Sequence, residues 1–301
     1  MNPALAVLAG DAHPALAAQV AGLCGARLLP CPVSAFADGE TRVRIDADLR
    51  DVDLHILQPT CAPTNERLMT LALMAEAARA AGAARVTALV PYFGYARQDV
   101  RKHAGEPRSA QLAARLLAAA GVDRLVVLEL HSPALESAFP MPLVHLLADD
   151  ALLPAVRAWA LPAMTIVSPD AGGLKRAQRC AAALAAPLAV LAKTRPRADV
   201  AVALEVLGEV RGRDCLILDD MASTGGTIAA AAAALRAAGA REVHALFVHA
   251  VLASGALERI GAARPGRVAT TDSVPLAPGA RVEVIGVAPL LARAVAGLAA
   301  H

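Results

Sequence analysis

The residues best suited to chemistry in this chain are two carboxylates and three hydroxyls set around a glycine pair, in the run Asp219-Asp220-Met221-Ala222-Ser223-Thr224-Gly225-Gly226-Thr227. Amides freed by Gly225 and Gly226, the hydroxyls of Ser223, Thr224 and Thr227, and the positive end of a following helix together make a cradle for a monophosphate. Asp219 and Asp220 stand just upstream, where they can accept hydrogen bonds from sugar hydroxyls or hold Mg²⁺ through water. A second glycine pair closes Ser168-Pro169-Asp170-Ala171-Gly172-Gly173. There the backbone can approach a polyanion while Asp170 ligates Mg²⁺. Between the two lies Lys193-Thr194-Arg195-Pro196-Arg197. Alone, such a basic run reads as a solvated turn. Its place between two anion loops instead makes Lys193 and Arg195 candidates for neutralising charge that grows in a transition state.

Strands and helices must position these groups. Cys215 to Leu218 and Met164 to Val167 are short apolar runs of the kind buried on both faces of a parallel sheet, and each runs into one of the glycine loops and then a helix. Such runs alternate with Ala-rich helical stretches along the whole chain, which predicts an α/β class. One module recurs at 78–92, 117–131 and 235–249: a helix end, a stopping Gly, a short turn and a strand. Two copies in the first half and one in the second predict two similar domains, 1–148 and 149–301. The break falls near Asp149, Asp150 and Pro154, and the last residues pack back on the first domain.

Bulk properties narrow the function. A chain of 301 residues fits two domains. Its 56% hydrophobic but only 2% aromatic content calls for cores of Ala, Val, Leu and Ile. A formal charge of +2 is too small for the basic field of a nucleic-acid binder. The uncharged run Ala181 to Ala192 falls short of the roughly 20 residues that cross a bilayer, so no membrane partner is expected. Five scattered cysteines and an amino terminus without a basic start predict no disulfide framework, no signal peptide and a reducing cytoplasm.

Other segments sharpen the reading by resemblance. Pro91-Tyr92-Phe93-Gly94-Tyr95-Ala96-Arg97-Gln98-Asp99 resembles, along its whole length, a motif of the ribose-phosphate diphosphokinase (phosphoribosyl pyrophosphate synthetase) family. Phe36-Ala37-Asp38-Gly39-Glu40 resembles that family's Phe-Ser-Asp-Gly-Glu stretch, Ser168 to Ala177 its diphosphate loop, Lys193 to Arg197 the start of its catalytic flexible loop, and Asp219 to Thr227 its sugar-phosphate loop. The resemblance runs from Phe36 to Thr227. It implies two phosphoribosyltransferase-like domains, each a mainly parallel sheet flanked by helices. It also implies transfer of the diphosphate of Mg-ATP to the anomeric hydroxyl of ribose 5-phosphate, with Mg²⁺ as cofactor.

The resemblance implies site roles as well. Phe36, Asp38, Glu40, Arg97 and Gln98 contact ATP, the first three reaching a neighbouring subunit's site, so the chain self-associates at least as a dimer and up to a hexamer. Asp170, Ala171, Gly172 and Gly173 bind diphosphate. Asp219, Asp220 and Ser223 to Thr227 bind ribose 5-phosphate. His131 and Asp170 serve the metal, although a strand-end His is also commonly structural, and Lys193 and Arg195 are catalytic. A phosphoribosyltransferase shares the sugar-phosphate loop but has no need of the 91–99 motif. A non-catalytic regulatory relative would lack the catalytic-loop residues present here. Four departures stand out: Glu129 where the family commonly has Asp, Thr194 in the basic run, Ser223 for a common Asp, and Ala104-Gly105 for a Ser-Arg pair. The last predicts weak or absent allosteric inhibition by ADP.

Overall fold

The computed structural model describes residues 4–194 and 203–299. The chain divides into two compact units: Met1–Leu147 with Ser273–Pro275 and Val287–His301, and Ala148–Asp272 with Leu276–Gly286.

In the first unit β1 (Ala4–Ala9) leads through α1 (Pro14–Cys24) to β2 (Arg27–Pro30), and a hairpin of β3 (Val33–Ala35) and β4 (Thr41–Val43) follows. Next come β5 (Val52–Leu57), α2 (Thr64–Ala80), β6 (Arg85–Val90), α3 (Ser109–Ala119), β7 (Arg124–Leu128), a 3-10 turn at Pro133–Ala138 and β8 (Leu143–Leu146). Six strands lie in the order β2-β1-β5-β6-β7-β8, all neighbours parallel. Every residue of β5 is buried, as a strand covered on both faces requires.

The second unit begins with α4 (Asp149–Ala158) and continues through β9 (Met164–Ser168), α5 (Leu174–Leu184), β10 (Leu188–Thr194), β11 (Ala203–Leu207) and β12 (Asp214–Ala222). It ends with α6 (Gly226–Ala237), β13 (Glu242–Ala250), α7 (Ala256–Ala262), β14 (Val268–Thr271) and β15 (Glu283–Ile285). The sheet order is β11-β10-β9-β12-β13-β14-β15, parallel except for β10 against β11. The last helix, α8 (Ala288–Ala299), packs on α1 in the first unit, where the Cys24 thiol meets the Ala292 carbonyl.

The repeated module has one geometry in all three places. Gly82, Gly121 and Gly239 take φ of 89°, 94° and 91°, which side-chain-bearing residues rarely adopt. The next amide reaches back to close the helix, from Ala83 to Ala78, Val122 to Leu117 and Ala240 to Leu235. Mostly aliphatic side chains fill both cores, and the aromatic Phe247 is the largest fully buried side chain among the described residues. The five cysteines are unpaired, and no helix among the described residues is long and apolar enough to cross a membrane.

Candidate active site

In the second unit β9 connects through α5 to β10 on one side, whereas its other neighbour β12 connects through α6 to β13 on the opposite side. The chain therefore switches direction between β9 and β12, and a crevice opens outside their carboxyl ends, the place where open parallel sheets hold ligands. Ile217 pairs with Val167, so Asp219 lies level with the start of the β9 loop. The two glycine loops thus leave neighbouring strands only about 5 Å apart.

The sugar-phosphate-like loop is shorter than the sequence predicts, because β12 runs on through Asp219 to Ala222 and leaves only Ser223, Thr224 and Gly225 before α6. Ladder bonds to β13 hold the extra residues, with Met221 opposite His249 and Ala222 opposite Ala250. Gly225 is the N-cap at φ 75° and has no side chain to cap the helix, and the Gly226 amide reaches Thr224 Oγ1 at 3.4 Å. The Thr227 and Ile228 amides that follow point out of the helix start toward an anion. A Cβ on Gly225 would meet the Ala256 carbonyl at 2.7 Å and Ile260 at 2.9 Å, so only glycine fits. Gly226 is open by contrast: the nearest atom to an added Cβ is Thr224 Oγ1 at 3.5 Å. Ser223 is half-buried, Thr224 and Thr227 are exposed, and the Thr224 and Ser223 carbonyls are tied down by Arg259 and by the Ala253 amide.

The loop after β9 is built in a similar way. Ser168 donates its hydroxyl to the Asp170 carbonyl at 2.7 Å, and Gly173 donates its amide to Asp170 Oδ1 at 3.0 Å. Gly173 is the N-cap of α5 and brings no side chain of its own to the helix start, and a Cβ there would lie 3.0 Å from Ser168 Oγ. Asp170, Ala171 and Gly172 are exposed at the crevice. The carboxylate and backbone oxygens of this loop are the donor type a hard cation takes, so Mg²⁺ fits this chemistry.

Between the loops sit the two carboxylates. Asp219 Oδ1 accepts the Asp220 amide at 2.9 Å, and Asp220 is only 5% exposed. Burial first, and then the Asp220 charge, push the Asp219 carboxyl up to about 8. The guanidinium of Arg176 acts the other way. Arg176 is a residue that sequence reasoning passed over: it lies in the first turn of α5, 7% exposed, under the diphosphate-like loop. The signal was a cation one turn into a helix that opens with Gly-Gly.

Lys193 is the penultimate residue of β10, the other neighbour of β9, and so leaves the sheet at the same carboxyl edge. Arg195, with Pro196 and Arg197, lies outside the described residues.

The remaining site residues named from the sequence belong to the first unit. Phe36 to Glu40 form the tip of the β3–β4 hairpin, closed by bonds from the Phe36 amide to the Glu40 carbonyl at 2.8 Å and from Gly39 to Phe36 at 2.9 Å. The whole tip is exposed, Phe36 included at 51%, and the Asp38 side chain accepts the Glu40 amide. Arg97 and Gln98 end a turn after β6. Gly94 in this turn is obligatory, since a Cβ would come within 2.5 Å of the Thr60 carbonyl. Both side chains are exposed, and Gln98 Oε1 accepts the Ser109 hydroxyl at 2.7 Å. His131 is exposed after β7, whereas Glu129 is 4% exposed at φ 43°. At the first unit's own switch point, between β1 and β5, the fully buried Gln58 bonds Asp11 and the Ala12 amide and fills the space. The corresponding crevice of the second unit stays open to the exposed Asp170 and Thr224.

Comparison with known proteins agrees with this division. Residues 5–121 match the N-terminal domain of ribose phosphate pyrophosphokinase, and residues 161–264 match the phosphoribosyl transferase domain. The chain is 42% identical over 273 residues to the ribose-phosphate pyrophosphokinase of Burkholderia pseudomallei, covering 90% of this chain and 86% of that one. It is 41% identical over 296 residues to that of Neisseria meningitidis serogroup A, covering 97% and 90%. The crystal structure of phosphoribosylpyrophosphate synthetase from Mycobacterium smegmatis superposes with a TM-score of 0.92 at 37% identity, covering 98% of each chain. With that identity across nearly its whole length, the chain belongs to the ribose-phosphate pyrophosphokinase family.

Proposed function

We propose that this chain is a ribose-phosphate diphosphokinase, transferring the diphosphate of Mg-ATP to the anomeric hydroxyl of ribose 5-phosphate to give 5-phosphoribosyl 1-diphosphate and AMP for nucleotide biosynthesis. The observation that carries the reading is the pair of glycine-begun helix starts, α5 and α6, on either side of the half-buried Asp219 and buried Asp220 at the switch point. One start suits a monophosphate and the other a polyphosphate, while the carboxylates suit sugar hydroxyls.

Ribose 5-phosphate places its phosphate on Ser223, Thr224, Gly225, Gly226 and Thr227 and its hydroxyls on Asp219 and Asp220. Arg97 and Gln98 hold the nucleotide, and Phe36, Asp38 and Glu40 of a neighbouring copy complete the ATP site, so the working unit is a homo-oligomer, at least a dimer and up to a hexamer. Asp170 to Gly173 orient the transferred diphosphate. Asp170 and His131 would hold Mg²⁺, which when bound offsets the negative charge of the triphosphate. The anomeric hydroxyl attacks the β-phosphorus in line and gives up its proton to water or to a carboxylate of the Asp219–Asp220 pair, the bond from that phosphorus to the AMP oxygen breaks, and AMP leaves. Lys193 and Arg195 neutralise the charge that grows on the transferring oxygens. Positioning and charge stabilisation supply the acceleration, so no strong general base is needed. The compartment is the cytoplasm, where both substrates occur.

One assay tests this. Incubation with Mg-ATP and ribose 5-phosphate should yield AMP and phosphoribosyl diphosphate in equal amounts. Binding of both without turnover, or diphosphate release only from activated sugar plus a base, would overturn it.

A further inference from the structure

A polar cluster stands at the opposite, amino edge of the second unit's sheet and takes no part in the chemistry above. Asp214 opens β12, and Glu242 and His244 open β13, with Asp214 paired to Glu242 across the ladder. One ligand atom from each of the three lies within 4.8 Å of the others. His244 is 2% exposed, yet neither ring nitrogen has a hydrogen-bond partner among the described residues. Its Nε2 faces Glu242 Oε2 at 3.8 Å, too long for a hydrogen bond. Two buried, unpaired ring nitrogens are costly unless something else completes them.

The surroundings leave room for a ligand. The cluster lines an open cleft of about 460 Å³ with Trp159, Arg241 and Arg267. Gly266 keeps that room, since a Cβ there would lie 2.2 Å from Glu242 Oε1 and 2.9 Å from His244 Cε1. The Glu242 side chain is 54% exposed and can turn inward, whereas the Asp214 side chain, 4% exposed, is fixed by Arg241 at 2.8 and 2.7 Å. Each carboxylate oxygen keeps a second lone pair for another partner. Asp214, Glu242 and Glu283 outweigh Arg241 and Arg267 by one negative charge here, counting His244 as neutral.

We propose that His244, Glu242 and Asp214 form a binding site for a borderline divalent transition metal, Zn²⁺ by preference, with water in the remaining position. One imidazole with carboxylates in an open tetrahedral set is the donor combination Zn²⁺ takes. Mg²⁺ prefers octahedral oxygen ligands and is a poor match. Asp214 lies five residues before Asp219 on one strand, about 17 Å away, so this site is separate from the catalytic edge. A metal there would fasten β12 to β13 at their amino ends.

The test is a calorimetric titration of the full chain with Zn²⁺ in excess Mg²⁺, which occupies sites made only of oxygen, with bound metal counted by elemental analysis. The wild type should bind one more Zn²⁺ per chain than His244→Ala. Glu242→Gln, a change at an exposed side chain that preserves the fold, should weaken the site at least tenfold. Diphosphate-transfer kinetics in Glu242→Gln should match the wild type. Equal stoichiometry and affinity in wild type and Glu242→Gln, or no Zn²⁺ bound by the wild type at about 100 μM, a concentration that would half-fill even a weak site, would overturn the proposal.

Discussion

The Asp219 carboxyl is held far from its ordinary acidity, and its shift makes stability depend on pH. A carboxyl raised from 3.8 to about 8 in the folded chain holds its proton where the unfolded chain has lost it. The folded state therefore binds more protons between those two values, and stability falls as pH rises through that window. Asp219→Asn has no such cost. In ligand-free calorimetry its Tm should exceed the wild type's by a margin that widens from about pH 5 to about pH 8.5, and a constant margin would show that packing rather than charge sets the difference. At Lys193 the chemistry itself is at stake. Lys193→Ala should lower turnover by about 10³ to 10⁵, by analogy with a removed arginine finger. A loss under about tenfold, some 1.4 kcal/mol of barrier, would take Lys193 out of the chemistry. The adjacent glycines of the α6 loop should separate fold from function. Gly225→Ala combines a left-handed φ with a clash against the Ala256 carbonyl and should cost about 2–4 kcal/mol in urea unfolding. Gly226→Ala should stay within about 1 kcal/mol while raising KM for ribose 5-phosphate, because its methyl enters the open cradle.

If the starts of α5 and α6 are the elements that bind, hydrogen exchange can resolve them one at a time. Ribose 5-phosphate alone should slow exchange at the Thr224 to Ile228 amides, where α6 begins, and leave the start of α5 unchanged. A non-hydrolysable ATP analogue with Mg²⁺ should slow exchange at Gly173 to Lys175. The reverse pattern would exchange the roles of the two loops. Much of this arrangement is legible in the sequence, because strand, glycine loop and helix follow one another locally. The three helix-stopping glycines were equally plain, since positive φ leaves glycine as the ordinary choice. Two features were not. Nothing local shows that β12 continues through Asp219 to Ala222, since those residues stay in the ladder only because β13 runs equally far beside them. Arg176 was hidden for a similar reason: its charge bears on Asp219 only once α5 and β12 are brought together, and a basic residue in a helix otherwise reads as solvated. Glu129 shows the same limit, being buried at positive φ where an acidic residue after a strand would be expected in solvent.

For the whole molecule, the exposed β3–β4 tip gives a test of shared sites. If Phe36 serves a neighbour's ATP site, Phe36→Ala and Lys193→Ala inactivate different sites. Co-expressed as random dimers, half would be mixed, and in each mixed dimer one of the two sites would have both an intact tip and an intact lysine. About a quarter of wild-type activity should return. No recovery, with mixed dimers verified by mass, would place Phe36 in its own chain's site or outside the reaction. The same molecule carries its own optical reporter. Trp159 is the only tryptophan in the chain. Its ring centre lies 6.2 Å from that of His244, its indole nitrogen bonds Glu283, and Arg267 stacks on its face. Emission excited at the red edge of tryptophan absorption therefore comes from the amino edge of the second sheet, at the other end of β12 from the phosphate loop. Quenching during a titration would signal occupancy of that far cleft, whereas nucleotide saturation should pass almost unseen by the fluorophore.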